Sequence, residues 1–76
     1  MGLLTARQEK LLVLFKAAVQ SEKDAQEAYS RMLSLSDDPA IMRIIEGLLG
    51  EEKRHEEKLL KIYNELRTTG EFKDTD

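Results

Sequence analysis

Ser34-Leu35-Ser36-Asp37-Asp38-Pro39-Ala40-Ile41 is the stretch that decides the fold. Ser34, Ser36, Asp37 and Asp38 carry short polar side chains that bond to nearby backbone, which favours turns and caps over helix interiors. Asp38 suits a helix N-cap, where its carboxylate accepts from first-turn amides. Pro39 suits the first helical position, where its missing N–H costs nothing. One helix therefore ends near Leu35, a turn covers 36–38, and a second helix begins at Pro39.

Outward from the turn, both flanks read as helix. Upstream, the helical period runs unbroken back to Thr5-Ala6-Arg7-Gln8, which fits a capping box and starts the first helix at about residue 6. Downstream, the second helix runs from 39 to about 67, where Thr68-Thr69-Gly70 stops it. Residues 68–76 form a polar tail. The expectation for 1–76 is one all-α domain, an antiparallel two-helix hairpin.

Composition narrows what such a hairpin can be. A core built from 76 residues rarely supplies more than ~3–5 kcal/mol, so small folds lean on disulfides, metals or partner chains. There is no cysteine, which removes disulfides, thiolate zinc sites, iron–sulfur clusters and a cysteine nucleophile. Oligomerisation and metal bound through histidine and carboxylates remain. The net charge of −3, with no basic patch, argues against nucleic acid as a partner. The longest apolar run, Leu11 to Phe15, is far too short for a membrane span. The N-terminus lacks a basic segment followed by an apolar core and cleavage site, so no signal peptide is expected and the expected compartment is the cytoplasm.

Steps of four and three place Leu11, Phe15, Ala18, Glu22, Ala25, Tyr29 and Met32 on one stripe of the first helix. The same steps place Ile41, Ile45, Leu48, Glu52, His55, Leu59, Ile62 and Leu66 on one stripe of the second. These stripes resemble the seams that pack antiparallel helices. Each is interrupted by charge or imidazole, Glu22 in the first and Glu52 with His55 in the second. A seam is where an unpaired carboxylate is least tolerated. Glu22 lies fifteen residues before Asp37 and Glu52 fifteen after it, so both sit about 22 Å from the turn at ~1.5 Å rise per residue. His55 follows Glu52 by three residues and projects to the same side.

Two carboxylates and an imidazole suit iron, manganese or zinc. Three donors do not close a site and two helices do not bury a seam. Pairing two hairpins about a two-fold axis remedies both deficits. The resulting four-helix bundle offers four carboxylates and two histidines, the donor set of di-iron carboxylate bundles.

The motifs themselves resemble a known superfamily. Glu22-Lys23-Asp24-Ala25-Gln26-Glu27-Ala28-Tyr29 is similar to the Glu-x-x-Ala-x-x-x-Tyr stretch of rubrerythrin-like and ferritin-like proteins, and Glu51-Glu52-Lys53-Arg54-His55 to their Glu-x-x-His helix. Asp38-Pro39, the thirty-residue step from Glu22 to Glu52 and the two-helix length most resemble the encapsulated ferritins. That resemblance, over about residues 8 to 66, implies a ferritin-like four-helix bundle assembled from two subunits. It also implies a di-iron ferroxidase centre at their junction, with Glu22, Glu52 and His55 as ligands and Tyr29 donating a hydrogen bond to a carboxylate. Oxidation of Fe(II) is the implied activity, and a homodimer, a larger ring and an encapsulin nanocompartment are the implied settings. The alternatives are a rubrerythrin-like peroxide reductase and a non-catalytic hairpin that dimerises around a structural metal clamp.

The remaining features read more plainly. Lys53, Arg54, Glu56 and Glu57 are expected on a solvated face, with Lys53–Glu57 and Glu57–Lys61 as i,i+4 ion pairs. Asp24 is expected in solvent, and Met32 and Met42 are expected to fill core. Gly47 and Gly50, each costing about 1 kcal/mol in a helix interior, point to close helix approach or local distortion beside Glu52.

Overall fold

A computed structural model describes residues 4–72. Within it the chain is two helices, α1 (Ala6–Leu35) and α2 (Pro39–Thr69), packed against each other as a hairpin. Residues 1–3, where the N-terminal targeting reading begins, and 73–76 of the polar tail lie outside the described residues.

The caps form as the sequence implies. Gln8 N–H donates to Thr5 Oγ1 (3.1 Å) and Thr5 N–H donates to Gln8 Oε1 (2.7 Å), closing the capping box. Asp38 Oδ1 accepts from the amides of Ala40 (2.8 Å) and Ile41 (3.3 Å), and Pro39 follows in the first turn of α2. At the other end α2 runs two residues past Arg67. Gly70 stops it at φ 79°, the left-handed conformation that costs glycine no steric penalty, and its N–H donates to Leu66 O (2.9 Å). Gln8 serves both helices, because its Nε2 also donates to Gly70 O (2.7 Å) and ties the open end of the hairpin shut.

The inward stripe overlaps the one the sequence periodicity suggests but is rotated from it. Phe15, Ala18, Glu22, Ala25 and Tyr29 on α1 and Ile45, Glu52, Leu59, Ile62 and Leu66 on α2 are buried or half-buried. Val19 and Ile45 are the buried apolar residues, each 8% exposed. Val19 sits one position beyond Ala18, and with it Gln8, Leu12, Phe15, Glu22, Gln26 and Leu33 turn towards α2, all at least half-buried. Leu11, Met32, Ile41 and Leu48, expected in the seam, are exposed instead. An α-helix advances ~100° per residue, so positions 11, 18, 25 and 32 lie roughly 80–140° around α1 from Val19. Positions 41, 48, 55 and 62 are rotated similarly on α2. In antiparallel helices these two rotations open onto the same flat side.

The molecule is thus a slab, 53 × 25 × 13 Å. Its thinnest dimension is about one helix diameter with side chains, ~10–12 Å. One flat side carries Leu11, Leu14, Met32, Ile41, Ile44 and Leu48, all exposed. No helix among the described residues is long and apolar enough to cross a membrane.

Two expectations about charged residues change. Glu56 is not solvated: it is half-buried between the helices and accepts from Gln26 Nε2 at 2.6 Å. Among the described residues the surface i,i+4 ion pair is Glu27–Arg31 (3.7 Å) rather than Lys53–Glu57 or Glu57–Lys61, while the Lys61 ammonium lies 5.8 Å from the centre of the Phe72 ring, a cation–π distance. Met42 is half-buried, as expected of core filler, whereas Met32 is exposed.

Candidate metal centre

Midway along the slab, both helices offer polar side chains where apolar ones would pack. Glu22 comes from α1; Glu52 and His55 come from α2, one turn apart on the same side. One donor atom from each lies within 4.8 Å of the other two. His55 Nδ1 is 3.7 Å from Glu22 Oε2 across the hairpin and 3.9 Å from Glu52 Oε1 along α2. These separations exceed hydrogen-bonding reach and leave room for a cation between the donors.

The three differ in exposure in a way that defines the site's mouth. The side chains of Glu22 and Glu52 are 21% and 20% exposed, whereas His55 is 53% exposed. The carboxylates sit between the inward stripe and the open side, and the imidazole rests on the open side itself. Glu22 Oε2 is buried and accepts no hydrogen bond. A buried acceptor left unsatisfied costs about 1–3 kcal/mol, and more when charged. Such an oxygen beside an imidazole nitrogen and a second carboxylate makes a group that could hold a cation.

That donor set fits the metals the sequence suggests. Carboxylate oxygens with one imidazole suit Fe(II), Mn(II) and Zn(II), and no sulfur ligand is present to favour a softer ion. Tyr29 is half-buried two turns from Glu22 towards the turn, and its hydroxyl is not a partner of the orphaned Glu22 oxygen. Asp24 is exposed, as expected.

Two inward polar residues, Gln26 and Glu56, escaped the periodicity argument. Glu56 lies one turn beyond Glu52 and next to His55 in sequence, and its bond to Gln26 crosses the hairpin beside the cluster. Gln26 follows Glu22 by four residues, so each end of this bridge is one turn from a donor. The signal that could have found it is that spacing: Glu22 and Gln26 repeat at four residues, as do Glu52 and Glu56.

On the opposite flat side, Lys23, Gln26, Glu27, Ser30, Arg31, Leu49 and Lys53 line an open groove of about 570 Å³. Gly47 and Gly50 carry no close contact that explains them. A Cβ on Gly47 would meet nothing within 4 Å, and one on Gly50 would meet only the Arg54 side chain at 3.5 Å.

Comparison of the chain with protein-family models, with curated proteins and with solved structures returns no match.

Proposed function

We propose that two hairpins pair through their open apolar sides into a ferritin-like four-helix bundle, and that the bundle is a ferroxidase holding a di-iron centre at the junction. The single observation that carries this reading is the convergence of Glu22, Glu52 and His55 around a buried, unpartnered carboxylate oxygen. Its position supports the pairing. The half-exposed His55 shares a flat side with Ile41, Ile44 and Leu48, all exposed. A second copy laid on that side would cover the apolar residues and bring a second donor triad to the first.

Each residue then has a physical task. Glu22 and Glu52 supply negative charge from the hairpin's interior, and four such carboxylates in a pair would neutralise two divalent ions. His55 supplies a neutral donor at the mouth. Pairing would cover the exposed apolar residues around the mouth, keep water from the donors and strengthen their attraction for a cation. Two ferrous ions held there give up one electron each, which matches the two-electron reduction of dioxygen to peroxide.

Aerobic addition of Fe(II) to purified protein tests the reading. Ferric absorbance should rise faster than in buffer alone and at the buffer rate in Glu22→Ala protein. Faster oxidation by peroxide than by dioxygen would favour a peroxide reductase. Tight metal uptake with no acceleration would leave a structural metal clamp, for which a triad already gathered within one chain is well suited.

A further inference from the structure

The hairpin's inward stripe is weakest where the candidate ligands lie. Val19 and Ile45, the buried apolar residues, flank this region. Between them, Glu22 and Gln26 on α1 meet Glu52 and Glu56 on α2, all half-buried and polar. Ala25 and Ala28, half-buried at neighbouring positions of α1, are small and add little side-chain contact. Apolar packing therefore does little to fix the helices' spacing at this level. One directional contact does cross it: Gln26 Nε2 donates to Glu56 Oε1 at 2.6 Å, part-buried, over thirty residues of chain.

We infer that the Gln26–Glu56 bridge is a positioning device for the metal ligands, an inference that rests on the metal reading above. Glu22 is one turn from Gln26 on α1, and Glu52 is one turn from Glu56 on α2. A change in helix spacing or rotation at the bridge is passed directly to both carboxylates, because one helical turn is rigid over that distance. The bond is charge-assisted, short and part-buried, so it is stiffer than a fully exposed pair. Gln26 also occupies Glu56's oxygen, which keeps this third carboxylate turned towards α1 and out of the donor set. Gln26 and Glu56 thus act on the ion through Glu22 and Glu52.

Co(II) titration of the intact chain tests this, read by affinity and by the visible absorption band that reports ligand geometry. Wild-type protein should bind Co(II) with a defined spectrum. Gln26→Ala should bind about 10- to 100-fold more weakly, as loss of a ligand-orienting partner commonly does, and with an altered band. Glu56→Gln keeps an oxygen to accept from Gln26 and should retain the wild-type band. The exchanged double variant Gln26→Glu/Glu56→Gln restores an amide–carboxylate pair and should do the same. If Gln26→Ala binds with wild-type affinity and spectrum, the bridge is no positioning device, even where the metal-free protein melts lower. If Glu56→Gln loses as much as Gln26→Ala, Glu56's charge rather than the bond matters, and the inference fails. Should Gln26→Ala not fold, the conservative and exchanged variants decide by the same spectrum. Wild-type protein that takes up no Co(II) would overturn the metal reading itself, and this inference with it.

Discussion

Nδ1 of His55 on α2 lies 3.7 Å from Oε2 of Glu22 on α1, and that oxygen is buried with no hydrogen-bond partner. The contact spans thirty-three residues of sequence and joins the two helices at mid-length. Neither group satisfies the other at this distance. A cation between them, shared with Glu52, would satisfy both.

The ligands should therefore separate cleanly from their neighbours. Glu52→Ala and His55→Ala each remove two donors from a symmetric pair, and each should weaken zinc binding by 100-fold or more, about 2.7 kcal/mol. Glu57→Ala should leave binding within a factor of two or three, because Glu57 is exposed. Isothermal titration with zinc checks this. Equal losses at Glu57 and Glu52 would contradict the helical phase seen here.

Metal and assembly should be linked. Four carboxylates gathered at a junction repel one another in the metal-free state. An ion that binds the pair but not the lone hairpin stabilises the pair by about 2.7 kcal/mol at a hundredfold excess over Kd. Zinc should shift sedimentation over a dilution series towards larger species. Glu22→Ala should blunt that shift while letting the metal-free chain associate more readily. Identical profiles with and without bound metal would place the complete site within one chain.

The open side should tolerate charge only in the unpaired hairpin. Leu48→Lys puts an ammonium two turns from His55 on the flat side where Leu48 is already exposed. Covering that charge against a second copy would cost roughly 3 kcal/mol or more, so association should weaken at least 100-fold. Circular dichroism should still report two helices. A variant that assembles as well as wild type would move the contact to the other flat side.

Gly47 offers a test of what lies against the outer surface of α2. Nothing in the hairpin would touch a Cβ there, so Gly47→Ala should stabilise the helix by about 1 kcal/mol. For a chain this short, that corresponds to a melting temperature higher by roughly 4–8 °C. A lower melting temperature in the assembled protein would mean that a neighbouring chain approaches closely at Gly47.

The sequence by itself determined the helices, their caps and the membership of the triad. Those features are local: Thr5 with Gln8, Asp38 with Pro39, and Gly70 each satisfy backbone groups within one turn of themselves, and Glu52 and His55 share a side through helical spacing alone. Which stripe turns inward was decided only by the tertiary structure. At 3.6 residues per turn, the line through Ala18, Ala25 and Met32 and the line through Val19, Gln26 and Leu33 are neighbours on α1, and both are largely apolar or small. Periodicity cannot choose between them, because a two-helix slab buries one narrow line and leaves the next only partly covered. Packing against α2 chose Val19, which left Leu11, Met32, Ile41 and Leu48 on an open side and turned Glu56 inward to meet Gln26. That rotation set Glu22 and Glu52 at the edge between the two lines, with His55 facing outward beside them.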